Sequence, residues 1–114
     1  MDFLTAAVLL TRVVIKPTAN RVALDLGHKS IDPEMTCPRE QIMGLEHAKQ
    51  VGHSEEHLVL EAEDSSSVQI GKLYYALPMH VCPTVCKYPS VMVIIDHQVA
   101  GNWEVAARDY QLSI

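Results

Sequence analysis

Apolar residues alternate with polar ones over much of the chain, at the spacing of half-buried strands rather than helices. In "NRVALDLG", Val22, Leu24 and Leu26 recur at period two, which sets them on one face of a strand, and Gly27 closes the run. The preceding run "AAVLLTRVVIK" is rich in valine and leucine, and Pro17, Thr18, Ala19 and Asn20 read as the turn of an antiparallel pair. The β pattern returns in "HLVLEAE", "KLYYALP", "VMVIIDH" and "NWEVAARDYQLSI", punctuated by "EDSSSVQIG" and "HQVAG". Val91, Val93 and Ile95 take one face of their strand and Met92 and Ile94 the other, so that strand is expected to be covered on both sides. Trp103 and "VAARD" read as core and ladder. Residues 30–53 differ: two prolines, mixed charge and no sustained period predict a long irregular excursion, with a short helical turn near Gln41 to Gln50. Excursions of that length are often functional. The expected class is mainly all-β, a small antiparallel barrel, closed or nearly so, in one domain over residues 1–114.

Composition narrows the function. A chain of 114 residues with 48% hydrophobic and 20% charged residues has room for one modest core. The net charge of −5 and the scattered lysines (Lys16, Lys29, Lys49, Lys72, Lys87) argue against nucleic-acid binding. The apolar run from Phe3 to Ile15 is too short for a membrane span and is interrupted by Thr5, Thr11 and Arg12. Asp2 after Met1 lacks the basic start of a signal peptide. Three unevenly spaced cysteines make a poor disulfide framework, so a reducing cytoplasm is expected. There is no Gly-rich phosphate loop, no G-x-S-x-G elbow and no H-E-x-x-H, hence no self-sufficient catalytic constellation.

The densest chemistry lies in "LPMHVCPTVCKY", residues 77 to 88. If the strand before it continues, His80 and Cys82 sit at i and i+2, point to the same side and converge on one ion, with Pro83 ending the ladder. Imidazole with thiolate favours zinc over magnesium or calcium. The same residues are also compatible with a plain core, since cysteine is among the most buried residue types. Cys86 could add a third ligand, and Cys37 reads as incidental. A second histidine cluster, "GHSEEHLVL", places His53, Glu55, Glu56 and His57 at a strand entrance, where they line a site or merely face solvent.

Taken in order, "LDLGHKSI", "HSEEHLVLE", "ALPMHVCPTVCKY" and "WEVAARD" resemble the C-terminal domain of the D-threonine aldolase and D-serine dehydratase-like family, pyridoxal-phosphate enzymes of the alanine-racemase fold type. The resemblance runs from about Leu4 to the C-terminus. It implies a partner N-terminal (β/α) barrel, on the same or another chain, that carries the cofactor and its lysine. It implies a divalent metal, zinc or alternatively manganese, on His80 and Cys82, where aldolase members place aspartate at the second position. Glu56 and His57 match the family's acidic–histidine element, implying a catalytic role near the same pocket. The implied substrates are β-hydroxy D-amino acids such as D-threonine or D-serine, with the metal polarising the β-hydroxyl and the cofactor acting as electron sink. The chain alone is then expected to be inactive and to self-associate. Two further readings stay open: a stand-alone, non-catalytic binding or oligomerisation module, and a fold whose metal site is vestigial.

Overall fold

The computed structural model describes residues 4–113. The expected leaderless start at Met1 and Asp2, and the outermost residues Phe3 and Ile114 of two apolar runs, lie outside the described residues. In chain order the strands are β1 (Leu9–Thr18), β2 (Arg21–Leu24), β3 (Glu40–Ile42), β4 (Lys49–His53), β5 (Leu58–Glu61), β6 (Leu73–Pro78), β7 (Ser90–Ile95) and β8 (Gln98–Glu104). A short helix α1 (Val81–Val85) follows β6, and a 3-10 turn spans Ala106–Asp109.

Six strands form one sheet in the order β3-β6-β1-β2-β5-β4, with every neighbouring pair antiparallel. Its two edges, β3 and β4, are stitched by one side chain. Gln50 Nε2 donates to the Glu40 carbonyl at 2.8 Å, and Gln50 Oε1 accepts from the Arg39 backbone N–H at 3.3 Å. The mainly β, antiparallel architecture is therefore a curled sheet whose seam is bridged by a side chain. Register irregularities in β1 and β4 supply the local bends that such curling needs.

The buried face follows the alternation in the sequence. Leu58 and Leu60 are fully buried while Val59 and Glu61 between and after them are partly exposed. They pack with Val13, Val22, Leu24, Leu26, Ile31, Ile42, Val68, Tyr74 and Ala76. Burying a valine- to leucine-sized side chain is worth about 1.5–3 kcal/mol, so this cluster is what the fold rests on.

Four expectations are corrected. The excursion over residues 30–53 contains two strands, and residues 41–50 are strand ends and turns rather than helix. Glu40 and Ile42 are buried with Gln41 exposed, a period-two pattern too short to stand out. The strand containing Val91 to Ile95 is not covered on both sides: among the described residues β7 pairs only with β8, and Met92, Ile94 and Ile95 are exposed. Trp103, expected in the core, is 69% exposed, and "VAARD" turns into the exposed 3-10 segment. Finally, "HQVAG" is mostly strand: the β7–β8 turn is Asp96–His97, both with positive φ, as a tight two-residue hairpin demands.

Candidate metal centre

The loop after β2 is pinned before it reaches the site. Asp25 Oδ1 accepts from Thr11 Oγ1 at 2.9 Å and from the Arg12 backbone N–H at 2.6 Å. Gly27 then passes so close to the next segment that a Cβ there would collide with the Glu55 carbonyl and the Glu56 nitrogen. Only glycine permits this approach. It lets the His28 and Lys29 N–H groups donate to the Ser54 and Glu55 carbonyls, which lays "LDLGHKS" along "HSEEH". Ser30 and Ile31 turn back onto the Gly27 carbonyl, Ile31 anchors in the core, and Asp32 emerges buried.

On the other side β6 stops at Pro78, and the backbone enters α1 at Val81 with His80 as its extended N-cap. The strand assumed through Cys82 is thus absent. A Pro at the third helical residue, Pro83, is well tolerated because first-turn N–H groups have no intrahelical acceptor. Thr84, the buried residue of α1, ties the two segments: its hydroxyl donates to the His80 carbonyl at 2.8 Å and accepts from the Asp32 N–H at 3.1 Å. Tyr88 adds a second tie by donating to the Ser30 carbonyl at 2.8 Å.

These ties bring three donors together. His80 Nδ1 lies 3.6 Å from Asp32 Oδ2 and 3.8 Å from Glu34 Oε2. Asp32 Oδ1 accepts from the Glu34 N–H at 3.0 Å, which leaves Oδ2, buried and without a hydrogen-bond partner, facing the imidazole. An unpartnered buried carboxylate oxygen is costly in an isolated fold. A divalent cation removes that cost, because nitrogen and carboxylate oxygen are its ordinary ligands.

The predicted site residues are distributed unevenly. His80 is in this trio, half-exposed. Cys82, on the first turn of α1, is exposed and outside it. Glu56 pairs with Lys29, both exposed, while His57 stands exposed at the entrance of β5. Cys37, Cys82 and Cys86 are all free and exposed. Asp32 and Glu34 escape sequence reasoning because "IDPE" has no ligand spacing of its own. Their one signal is their position in an excursion too long to be a plain connection.

A second polar cluster lies across the β3–β4 seam. Arg39 Nη1 donates to His53 Nδ1 at 2.6 Å and to His28 Nε2 at 3.1 Å, while His53 Nε2 donates to the Leu26 carbonyl at 2.9 Å. Burial, then the nearby His28 and Arg39, pull His53 below its ordinary pKa and keep it neutral, although the Leu26 hydrogen bond works the other way. Next to Arg39, Glu40 is buried with neither carboxylate oxygen partnered, and burial pushes its pKa up to about 7. It borders a cavity of about 560 Å³ lined also by Ile42, Leu45, Ala48, Leu60 and Met79.

Comparison with known proteins identifies the family and the fold. Residues 6–94 match the family described as "Putative serine dehydratase domain". The chain is 30% identical over 111 residues to D-threonine aldolase of Arthrobacter sp., a match covering 96% of this chain and 29% of that protein. Its fold is similar to the crystal structure of D-threonine aldolase from Filomicrobium marinum (TM-score 0.80, 22% identity, 95% of this chain and 29% of the other). It is also similar to a metal-free D-threo-3-hydroxyaspartate dehydratase carrying a cysteine-to-alanine substitution (TM-score 0.70, 17% identity, 85% and 31%). The chain thus spans under a third of the proteins it matches.

Proposed function

The chain belongs to the serine dehydratase domain family, and from that premise we propose that it is the metal-bearing β-domain of a pyridoxal-phosphate-dependent lyase acting on β-hydroxy D-amino acids. The observation that carries the metal role is the unpartnered, buried Asp32 Oδ2 turned toward the His80 imidazole. His80 is the ligand from this chain, with Cys82 as the second ligand on the resemblance to the family's motif. A divalent ion bound there would act as a Lewis acid on the substrate's β-hydroxyl. Zinc fits imidazole, thiolate and carboxylate alike; manganese fits the oxygen-rich version.

The chain's own residues then have defined tasks. Thr84 and Tyr88 hold the His80 segment against the Asp32 loop, so the imidazole is positioned before substrate arrives. The Lys29–Glu56 pair and His57, one strand entrance away, are proposed to face the substrate side of the completed active site. No side chain of the chain resembles the cofactor-holding lysine, so a partner barrel is proposed to supply it. The exposed apolar hairpin β7–β8 is proposed to lie under that barrel or a second subunit, in an oligomer acting in the cytoplasm. Among the described residues no helix is long and apolar enough to cross a membrane.

The test is elemental analysis of the purified chain beside His80→Ala and Cys82→Ala, together with an assay of the chain alone with pyridoxal phosphate and D-threonine or D-serine. Bound metal that is lost in His80→Ala, with no product from the chain alone, is expected. Metal content unchanged in His80→Ala contradicts the proposal. Metal content unchanged in Cys82→Ala removes that residue as a ligand.

A further inference from the structure

We infer that Asp32 and Glu34 are direct ligands, so that the domain holds its cation through an imidazole and two carboxylates and does so without a partner barrel. The inference rests on the metal role proposed for His80 and extends it to residues that the motif does not contain.

Distances favour a shared ion over a hydrogen bond. At 3.6 Å and 3.8 Å the two carboxylate oxygens are too far from Nδ1 for hydrogen bonding, which ends near about 3.5 Å. They suit donors around one ion: bonds of about 2.1 Å with edges of this length enclose angles of roughly 120°. The donor atoms of Asp32, Glu34 and His80 all lie within 4.8 Å of one another. Burial adds an independent argument. The Asp32 side chain is only 5% exposed, its Oδ1 is committed to the Glu34 N–H, and its Oδ2 has no partner. An acid so placed is oriented for something that the protein itself does not provide. Glu34, 72% exposed, approaches the same imidazole from the solvent side. Two carboxylates with one imidazole make a set suited to manganese.

The experiment is a Mn²⁺ titration of the 114-residue chain, followed by loss of the free-ion electron paramagnetic resonance signal, for the native sequence, Asp32→Asn, Glu34→Gln and His80→Gln. One ion per chain is expected, with affinity reduced at least about tenfold by Asp32→Asn and by His80→Gln, and severalfold by Glu34→Gln. Affinity lowered by His80→Gln but untouched by Asp32→Asn overturns this inference and leaves the proposed function standing. Affinity untouched by His80→Gln overturns both. Should circular dichroism show Asp32→Asn unfolded, Glu34→Gln decides alone, because its exposed side chain supports no core; unchanged affinity there overturns the inference.

Discussion

Asp32 Oδ2 and His80 Nδ1 lie 3.6 Å apart although four strands separate the two residues in sequence. The relationship is held by Thr84, whose single hydroxyl bonds to both backbones. Thr84→Val keeps the shape and deletes both bonds, stranding a buried N–H. A loss of about 1–3 kcal/mol in denaturant unfolding is expected, along with weaker metal binding, whereas Thr84→Ser retains both properties. Unchanged stability in the valine variant would show that the tie is incidental.

Gly27→Ala forces a methyl group into the Glu55 carbonyl and the Glu56 nitrogen, both backbone and neither free to swing aside. The expected cost is at the upper end of overpacking, about 3 kcal/mol. Chemical denaturation measures it. A loss below about 1 kcal/mol would mean that the "LDLGHKS" and "HSEEH" segments are not locked together.

Glu40 gives stability a pH dependence of unusual sign. Its carboxyl is raised from the ordinary 4.5 to about 7, so the folded chain binds the proton more tightly than the unfolded one. Stability from this group is full below about pH 4.5 and falls as pH rises to about 7. The difference is on the order of 3 kcal/mol. His53, lowered by burial, runs the opposite way: its contribution is present above the ordinary histidine pKa and is lost on acidification. Unfolding of the native chain and Glu40→Gln across pH 4.5 to 8 separates the two. The glutamine variant should lack the alkaline decline; an identical decline in both contradicts the assignment.

Trp103 is 69% exposed on a hairpin that, among the described residues, pairs with no other strand. Trp103→Ser should therefore cost less than about 1 kcal/mol, against about 3–5 kcal/mol for removal of a core tryptophan. Unfolding followed by circular dichroism is the readout. A large loss would place the side chain in a core that the fold does not have.

Much of the sheet was legible because its residues obey one rule at a time. Leu58 and Leu60 alternate cleanly and are buried where the alternation puts them, and Val22, Leu24 and Leu26 are buried as expected, although Ala23 between them is buried as well and the strand ends at Leu24. The β7–β8 hairpin misleads for a physical reason: apolar residues on both faces of a strand look the same in sequence whether or not the fold covers them. His80 was legible as a candidate ligand, but its backbone was not, since "HVCPTV" carries strand-forming valines that the prolines and the Thr84 tie override. Asp32 and Glu34 could not be found by spacing, because their meeting with His80 is created by Gly27, Thr84 and Tyr88 acting at long range.

The most direct test of the proposed metal centre is a crystal of the chain grown with Mn²⁺ or Zn²⁺ and examined by anomalous diffraction at the metal edge. A peak about 2.0–2.2 Å from a ring nitrogen of His80, with carboxylate oxygen from Asp32 on the same ion, is the expected result. Saturating metal with no anomalous peak at His80 would contradict it.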